Sequence, residues 1–270
     1  LWRIYWKGYL ENYKSIWFEY INFKEKSSNS NLISAAMDGK TGIECFDTWI
    51  EELRENNYLH NHSRMWFASI WIFTLGLPWQ LGAKLFMRHL LDGDAASNTL
   101  SWRWVAGLHT NKKPYIASKE NINKYTVNRF KENSLSIQNI SNRLDNKQHL
   151  SNKIPVKLNF SRSDILIMFD NDMNIINRLD LFNSYSKVYI VSNTVINSEF
   201  KLSENVCRFK LSLIEQVNKL IPYSSVINSA DIEKILFNKK SIDVIYPGVG
   251  NNLDMLNKFI NKTQININYI

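Results

Sequence analysis

At 270 residues and 31.7 kDa, with 44% apolar residues, the chain can bury one large core or two modest ones. A net charge of +8 suits a phosphate-backbone partner, although lysine-loaded surfaces arise in low-GC genomes without one. Cys45 and Cys207 lie far apart with no metal-ligand spacing and read as two reduced thiols in a cytoplasmic protein. No signal peptide is visible, and the longest apolar run, Met65 to Leu77, is shorter than the roughly 20 residues of a membrane span.

All nine tryptophans lie at or before Trp104, and the rest of the chain is rich in Asn, Lys, Ile and Ser. That shift predicts two domains. Residues 1–23 carry aromatics on nearly every turn, and Trp2, Tyr5, Trp6 and Tyr9 repeat at helical spacing. Such a face serves a ligand or a packed core. The chain opens at Leu1 inside this helix, so a fragment lacking its natural N-terminus is expected.

Residues 24–40 read as a polar loop ending at Asp38-Gly39. Thr41-Gly42 then leads into a helix over 43–56, with Phe46, Trp49, Ile50 and Leu53 inward. In the block NNYLHNHSRM (56–65), Arg64 needs an anionic partner if buried, because an unpaired buried charge costs several kcal/mol. His60 and His62 read by themselves as helix-surface residues. An apolar helix over 66–78 comes next, closed by Pro78.

Residues 79–104 organise the chain. Leu85, Phe86, His89 and Leu90 recur at helical spacing until Asp92-Gly93-Asp94 interrupts them. Small residues (Ala95, Ala96, Ser97), an amide (Asn98) and two indoles (Trp102, Trp104) come next. Carboxylates, a small-residue floor, an amide and paired indoles suit a flat, hydrogen-bonding heteroaromatic ligand. Asn98 alone also reads as a helix cap.

Residues 127–162 read as a polar linker. Beyond it, DILIMFD (164–170), KVYIVSN (187–193), SIDVIYPG (241–248) and QININYI (264–270) are short apolar runs fit for buried parallel strands. Helical segments at 211–220, 230–237 and 252–259 alternate with them and predict a small doubly wound α/β domain over 163–270. Asp170-Asn171-Asp172 reads as a turn after a strand or as a phosphotransferase-type loop. Pro247-Gly248-Val249-Gly250 lacks the third glycine of a dinucleotide fingerprint.

The pattern DGD-x-A-x-N-(x)3-W-x-W, preceded by Lys40-Thr41-Gly42, NNYLHNHSRM and Trp79 to Gly82 and followed by Lys113-Pro114-Tyr115, resembles the FAD-binding domain of the cryptochrome/photolyase family. The resemblance covers about residues 1–126 and implies a mainly α fold: an all-helical FAD-binding domain followed by the α/β domain. It implies FAD held by Arg3, Asn61, Arg64, Asp92, Asp94, Ser97, Asn98 and Trp102, with Arg64 paired to Asp92 and Asn98 facing flavin N5. Trp2, Trp6, Asn61, His62, Met65 and Trp104 would meet DNA or the lesion. Trp102 and then Trp79 would form an electron relay.

The family's arginine is replaced by His62 and its tryptophan by Tyr58; Lys26 stands where the outermost relay tryptophan belongs, so the relay would end elsewhere, through Trp71 or Trp49. A glutamate of repair members and the FAD-diphosphate loop would lie upstream of Leu1. IMFDNDMNI faintly resembles the opening of the family's antenna domain, with the antenna pigment unknown. The implied function is a monomeric, light-dependent lyase acting on pyrimidine dimers in DNA, or a cryptochrome-like light sensor without repair.

Overall fold

The computed structural model describes residues 2–24, 30–109, 113–130, 163–193, 201–237, 239–263 and 265–270. Lys26 and nearly all of the 127–162 linker lie outside them. Two compact units emerge: Leu1–Trp6 with Ser15–Ser151, and Lys7–Lys14 with Asn152–Ile270.

The first unit is helical among the described residues. The aromatic N-terminal segment forms α1 (Trp2–Asn12), of which Trp2–Trp6 belong to this unit, and α2 (Lys14–Ile21), broken at Tyr13. Asn12 Nδ2 donates to the Gly8 carbonyl at 3.0 Å, a side-chain bond that competes with the helix ladder. The expected loop over 24–40 instead contains α3 (Ser30–Asp38). Its polar flanks mask a helix-forming centre, Leu32 to Met37, that anchors through the fully buried Ala36.

Helix α4 (Glu44–Asn56) buries Phe46, Trp49, Ile50 and Leu53, as its periodicity predicts. Phe46 stacks on Phe67 at 4.4 Å and Trp49 on Trp66 at 5.8 Å, joining α4 to α5 (Asn61–Ser69). Burying rings of this size contributes about 2–3 kcal/mol each.

The apolar run does not stay helical to Pro78. It widens into a π turn at Ile70–Thr74, where Leu75 N–H donates to the Ile70 carbonyl, and Gly76 then reverses the chain at φ +67°. Leu77 precedes proline and disfavours helix, so Pro78 caps α6 (Trp79–His89) rather than closing its predecessor.

Asn57 ties the end of α4 to the end of α6. It adopts the left-handed conformation, its Nδ2 donates to the His89 carbonyl at 2.8 Å, and its carbonyl accepts from Leu91 N–H. This staple holds the turn that leads into α7 (Ala95–Val105). Helix α8 (Lys119–Tyr125) anchors through the buried Ile122.

His89 gives the unit a pH dependence. Burial, then Arg88 and Arg54, push its pKa down to about 4. Below pH 6.5 the unfolded chain takes up the proton more readily than the folded one, so stability held above pH 6.5 is lost as pH falls toward 4. A loss on the order of 1 kcal/mol at pH 5 is expected, allowing for partial exposure. Urea unfolding monitored by tryptophan fluorescence should show this slope, and His89→Gln should flatten it.

The second unit carries a five-stranded parallel sheet in the order β3-β2-β1-β4-β5. Its strands are β1 (Ile165–Phe169), β2 (Lys187–Ser192), β3 (Ser224–Asn228), β4 (Ser241–Val244) and β5 (Asn266–Tyr269). Alternate β1 residues serve opposite faces: Leu166 and Met168 join one cluster, Ile167 and Phe169 another. Helices α9 (Leu179–Asn183) and α10 (Glu204–Leu220) pack on the first cluster; α11 (Ile232–Ile235) and α12 (Asn251–Ile260) pack on the second. Strand β3 is absent from the sequence-based expectation, because this edge strand shows only Val226 and Ile227 as an apolar signal.

The polar loop after β1 is internally satisfied. Asp170 pairs with Lys210 at 3.2 Å and accepts from Asn252 at 3.0 Å; Asp172 pairs with Arg178 through two bonds of 2.9 and 2.7 Å. Among the described residues no group of three or more His, Cys, Asp or Glu side chains could hold a metal ion. Among them, too, no helix is long and apolar enough to cross a membrane.

Candidate functional site

A cavity of about 600 Å³ lies in the first unit, where α1, α5, α6 and α7 converge on the Asp92-Gly93-Asp94 turn. One wall is ionic. Arg64, on the first turns of α5, meets Asp92 through both nitrogens, Nη1 to Oδ2 and Nη2 to Oδ1, each at 3.1 Å. Its Nε donates to the Leu59 carbonyl at 2.8 Å, which fixes the fork. Arg3 of α1 reaches the same residue, 3.2 Å from the Asp92 carbonyl and 3.5 Å from its carboxylate.

Asp94 has a local duty. It caps α7 and accepts from Ser97 N–H at 2.8 Å, a bond type worth about 1 kcal/mol. With the turn and cap set, Ser97, Asn98, Ser101 and Trp102 fall along the side of α7 that lines the cavity. Asn98 is no cap: it lies inside the helix, 8% exposed, and donates Nδ2 to the Ala83 carbonyl at 2.8 Å. That bond uses one N–H and leaves the carbonyl oxygen and the second N–H of the amide.

Trp102 is packed edge-on against Phe86 at 5.1 Å and against Trp71 and Phe67 at 6.3 Å. Its ring lies over Gly82, where an added Cβ would come within 2.2 Å of the indole. The mouth is aromatic. Trp2 stacks on Trp6 at 6.0 Å and remains 73% exposed, while Trp104 is 41% exposed and stacks on Tyr115 at 5.7 Å. Asn61 and Met65 share this rim, with Asn61 Nδ2 at 3.7 Å from the Met65 sulfur.

Twelve predicted site residues therefore line one cavity: Arg3, Asn61, Arg64, Asp92, Asp94, Ser97, Asn98 and Trp102 among the cofactor candidates, and Trp2, Trp6, Met65 and Trp104 among the lesion candidates. Two do not. His62 stacks on His60 and Tyr125 outside the lining, and His60 caps α5. Trp79 lies behind the wall, stacked on Tyr20 at 5.5 Å with Arg103 5.8 Å from its ring. It sits about one turn before Gly82, the residue that Trp102 covers, on α6.

His109 also lines the cavity, edge-on to Trp6 at 4.9 Å, and sequence reasoning missed it. Burial and then Arg103 push its pKa below the ordinary histidine value, which favours the neutral imidazole. A lone histidine after a helix gives no signal; only packing brings it to Trp6.

The donor set fits a flat ligand with polar edges. Ser97 Oγ and Trp102 Nε1 are buried here without a hydrogen-bond partner among the described residues. A buried polar atom left so costs about 1–3 kcal/mol, which a ligand can relieve. The bidentate pair and the Asn98 amide belong to the lining of a space of a size suited to a fused-ring system.

A family model described as the FAD binding domain of DNA photolyase matches residues 2–146, over half of the chain. The chain belongs to this photolyase family. Among its relatives, the deoxyribodipyrimidine photo-lyase of Buchnera aphidicola subsp. Baizongia pistaciae is 28% identical over 172 residues, which is 58% of this chain and 36% of that protein. Those of Streptomyces griseus and Escherichia coli K12 are 38% and 36% identical over 87 and 89 residues, about a third of this chain and 19% of each relative. A solved bacterial class III photolyase from Agrobacterium tumefaciens is 27% identical at a TM-score of 0.40, covering 46% of this chain and 27% of that one. The chain thus spans about a fifth to a third of the length of these curated photolyases. FAD is the cofactor that this family's domain binds.

Proposed function

We propose that this chain is the FAD- and substrate-binding part of a photolyase that splits pyrimidine dimers in DNA under light. The observation that carries the reading is one cavity with a bidentate Arg64–Asp92 pair and an inward amide on its floor and exposed indoles at its mouth. The functional division runs along the sequence: residues 1–126 bind, 127–162 link, and 163–270 form an accessory α/β domain.

Bound FAD supplies a light-driven electron for ring cleavage. The protein supplies position. Arg64, held by Leu59 and Asp92, orients the polar edge of the flavin, with Arg3 beside it. The Asn98 amide, anchored by one N–H on the Ala83 carbonyl, would offer its oxygen to the protonated N5 of a reduced flavin. Ser97 and Trp102 satisfy their orphaned groups on the same ligand. A dimer reaches this cavity only out of the duplex, and damaged bases are the least costly to extrude. Trp2, Trp6 and Trp104 then stack on the extruded bases at about 1–3 kcal/mol per base. Trp102 and then Trp79 would form the relay that supplies electrons to the bound cofactor. Trp71 lies 6.3 Å from Trp102 as an alternative continuation, whereas Trp49 pairs with Trp66.

The test incubates reduced, FAD-loaded protein with a dimer-containing oligonucleotide, in light and in darkness. Repair in light alone is the expected result. Tight FAD retention with no repair would replace this reading with that of a cryptochrome-like light sensor, a reading that His62 in place of the family's arginine favours.

A further inference from the structure

We infer that the ring stack His60–His62–Tyr125 is a platform for the nucleic-acid strand that flanks the cavity, with Lys124 as its phosphate contact. The inference rests on the proposed binding of damaged DNA and extends it to a surface outside the cavity.

The three rings are nearly parallel. His60 and His62 lie 5.5 Å apart at 13°, and His62 and Tyr125 lie 5.9 Å apart at 7°. They come from two elements, the N-terminus of α5 and the last turn of α8, so no single helix period produces the stack. Underneath, His62 contacts the buried Trp66 at 5.8 Å, and Trp66 stacks on Trp49. The base of the platform is therefore fixed in the core while its top is open: Tyr125 is 60% exposed, and both histidines are exposed. Anchorage of α8 does not need that ring, because Ile122 is fully buried.

Position and charge identify the occupant. Asn61, between the two histidines, lines the cavity rim, so the platform begins where a strand with an extruded nucleotide must pass. Lys124 Nζ lies 5.3 Å from the Tyr125 ring centre, and the chain carries a net charge of +8. Stacked rings beside a cation are the combination that binds single strands without reading their sequence.

The test is fluorescence anisotropy of the full chain with labelled oligothymidylate, with and without one dimer, over a salt series. Tyr125→Ala should weaken both strands by about tenfold at an unchanged salt slope, leaving their affinity ratio as in the wild type. Tyr125→Phe, which keeps the ring, should bind like the wild type. Lys124→Ala should lower the salt slope by about one. If Tyr125→Ala binds both strands normally while the wild type still prefers the dimer, the platform is wrong and the cavity reading stands. If the wild type ignores the dimer but Tyr125→Ala still weakens binding, the cavity reading fails and the platform stands. Binding of neither strand overturns both.

Discussion

Gly82→Ala should lower the melting temperature and release the cofactor, although it adds a single methyl group to a helix. Alanine is otherwise the better helix former by about 1 kcal/mol, so propensity predicts the opposite sign. Packing decides. The added Cβ would stand 2.2 Å from Trp102 Cη2 and 2.6 Å from Cζ3, distances that need a shift of more than 1 Å. The obstacle is a rigid indole confined by Phe67, Trp71 and Phe86, so the ring can move only toward the cavity it lines. Overpacking of this kind costs about 1–3 kcal/mol, and here it also narrows the ligand space. Differential scanning calorimetry and the FAD-to-protein ratio of purified material read the two effects. Trp102→Phe in the Gly82→Ala background should restore much of the stability, with a coupling above about 1 kcal/mol. An unchanged melting temperature in the single variant would show that Trp102 does not lie over Gly82.

Arg64→Ala should separate stability from ligand affinity. Asp92 is 40% exposed at its side chain, and ion pairs with such access to water contribute about 0–1 kcal/mol to the fold. Unfolding of the apoprotein should change by no more than that. The cavity, however, loses a fixed two-pronged donor, and Arg3 is left as the partner of the Asp92 carboxylate among the described residues. FAD affinity should fall by tenfold or more, and each decade corresponds to about 1.4 kcal/mol. Arg64→Lys should recover little, since an ammonium cannot bond both Asp92 oxygens and the Leu59 carbonyl in this fork geometry. Fluorescence titration of apoprotein with FAD decides it: wild-type affinity in Arg64→Ala would remove the pair from the cofactor site.

Much of the candidate site was legible because its signals are local. Asp92-Gly93-Asp94 is a turn by residue type, whereas the structure shows that Asp94 caps α7 in place of Asn98 and that Ser97, Asn98 and Trp102 line one cavity. The Arg64–Asp92 pair came through resemblance, since 28 residues separate partners that no periodicity links. The misses share a cause. Helix α3 was hidden by polar flanks, and β3 by the weak apolar demand of a sheet edge. The early end of the apolar helix depended on how Gly76 and the pre-proline Leu77 combine with a π turn.

By itself, the sequence determined which segments are most of the helices and strands, where the carboxylate turn separates α6 from α7, and which side of α4 faces inward. These depend on spacing, caps and turn residues acting within a few positions. Only the tertiary structure decided that Trp102 lies on Gly82, that Tyr20 backs Trp79, that His109 meets Trp6, and that the strands order as β3-β2-β1-β4-β5. Such contacts join residues far apart in the chain. Their geometry is set by the volume and direction of side chains packed from several elements at once, which no local pattern encodes.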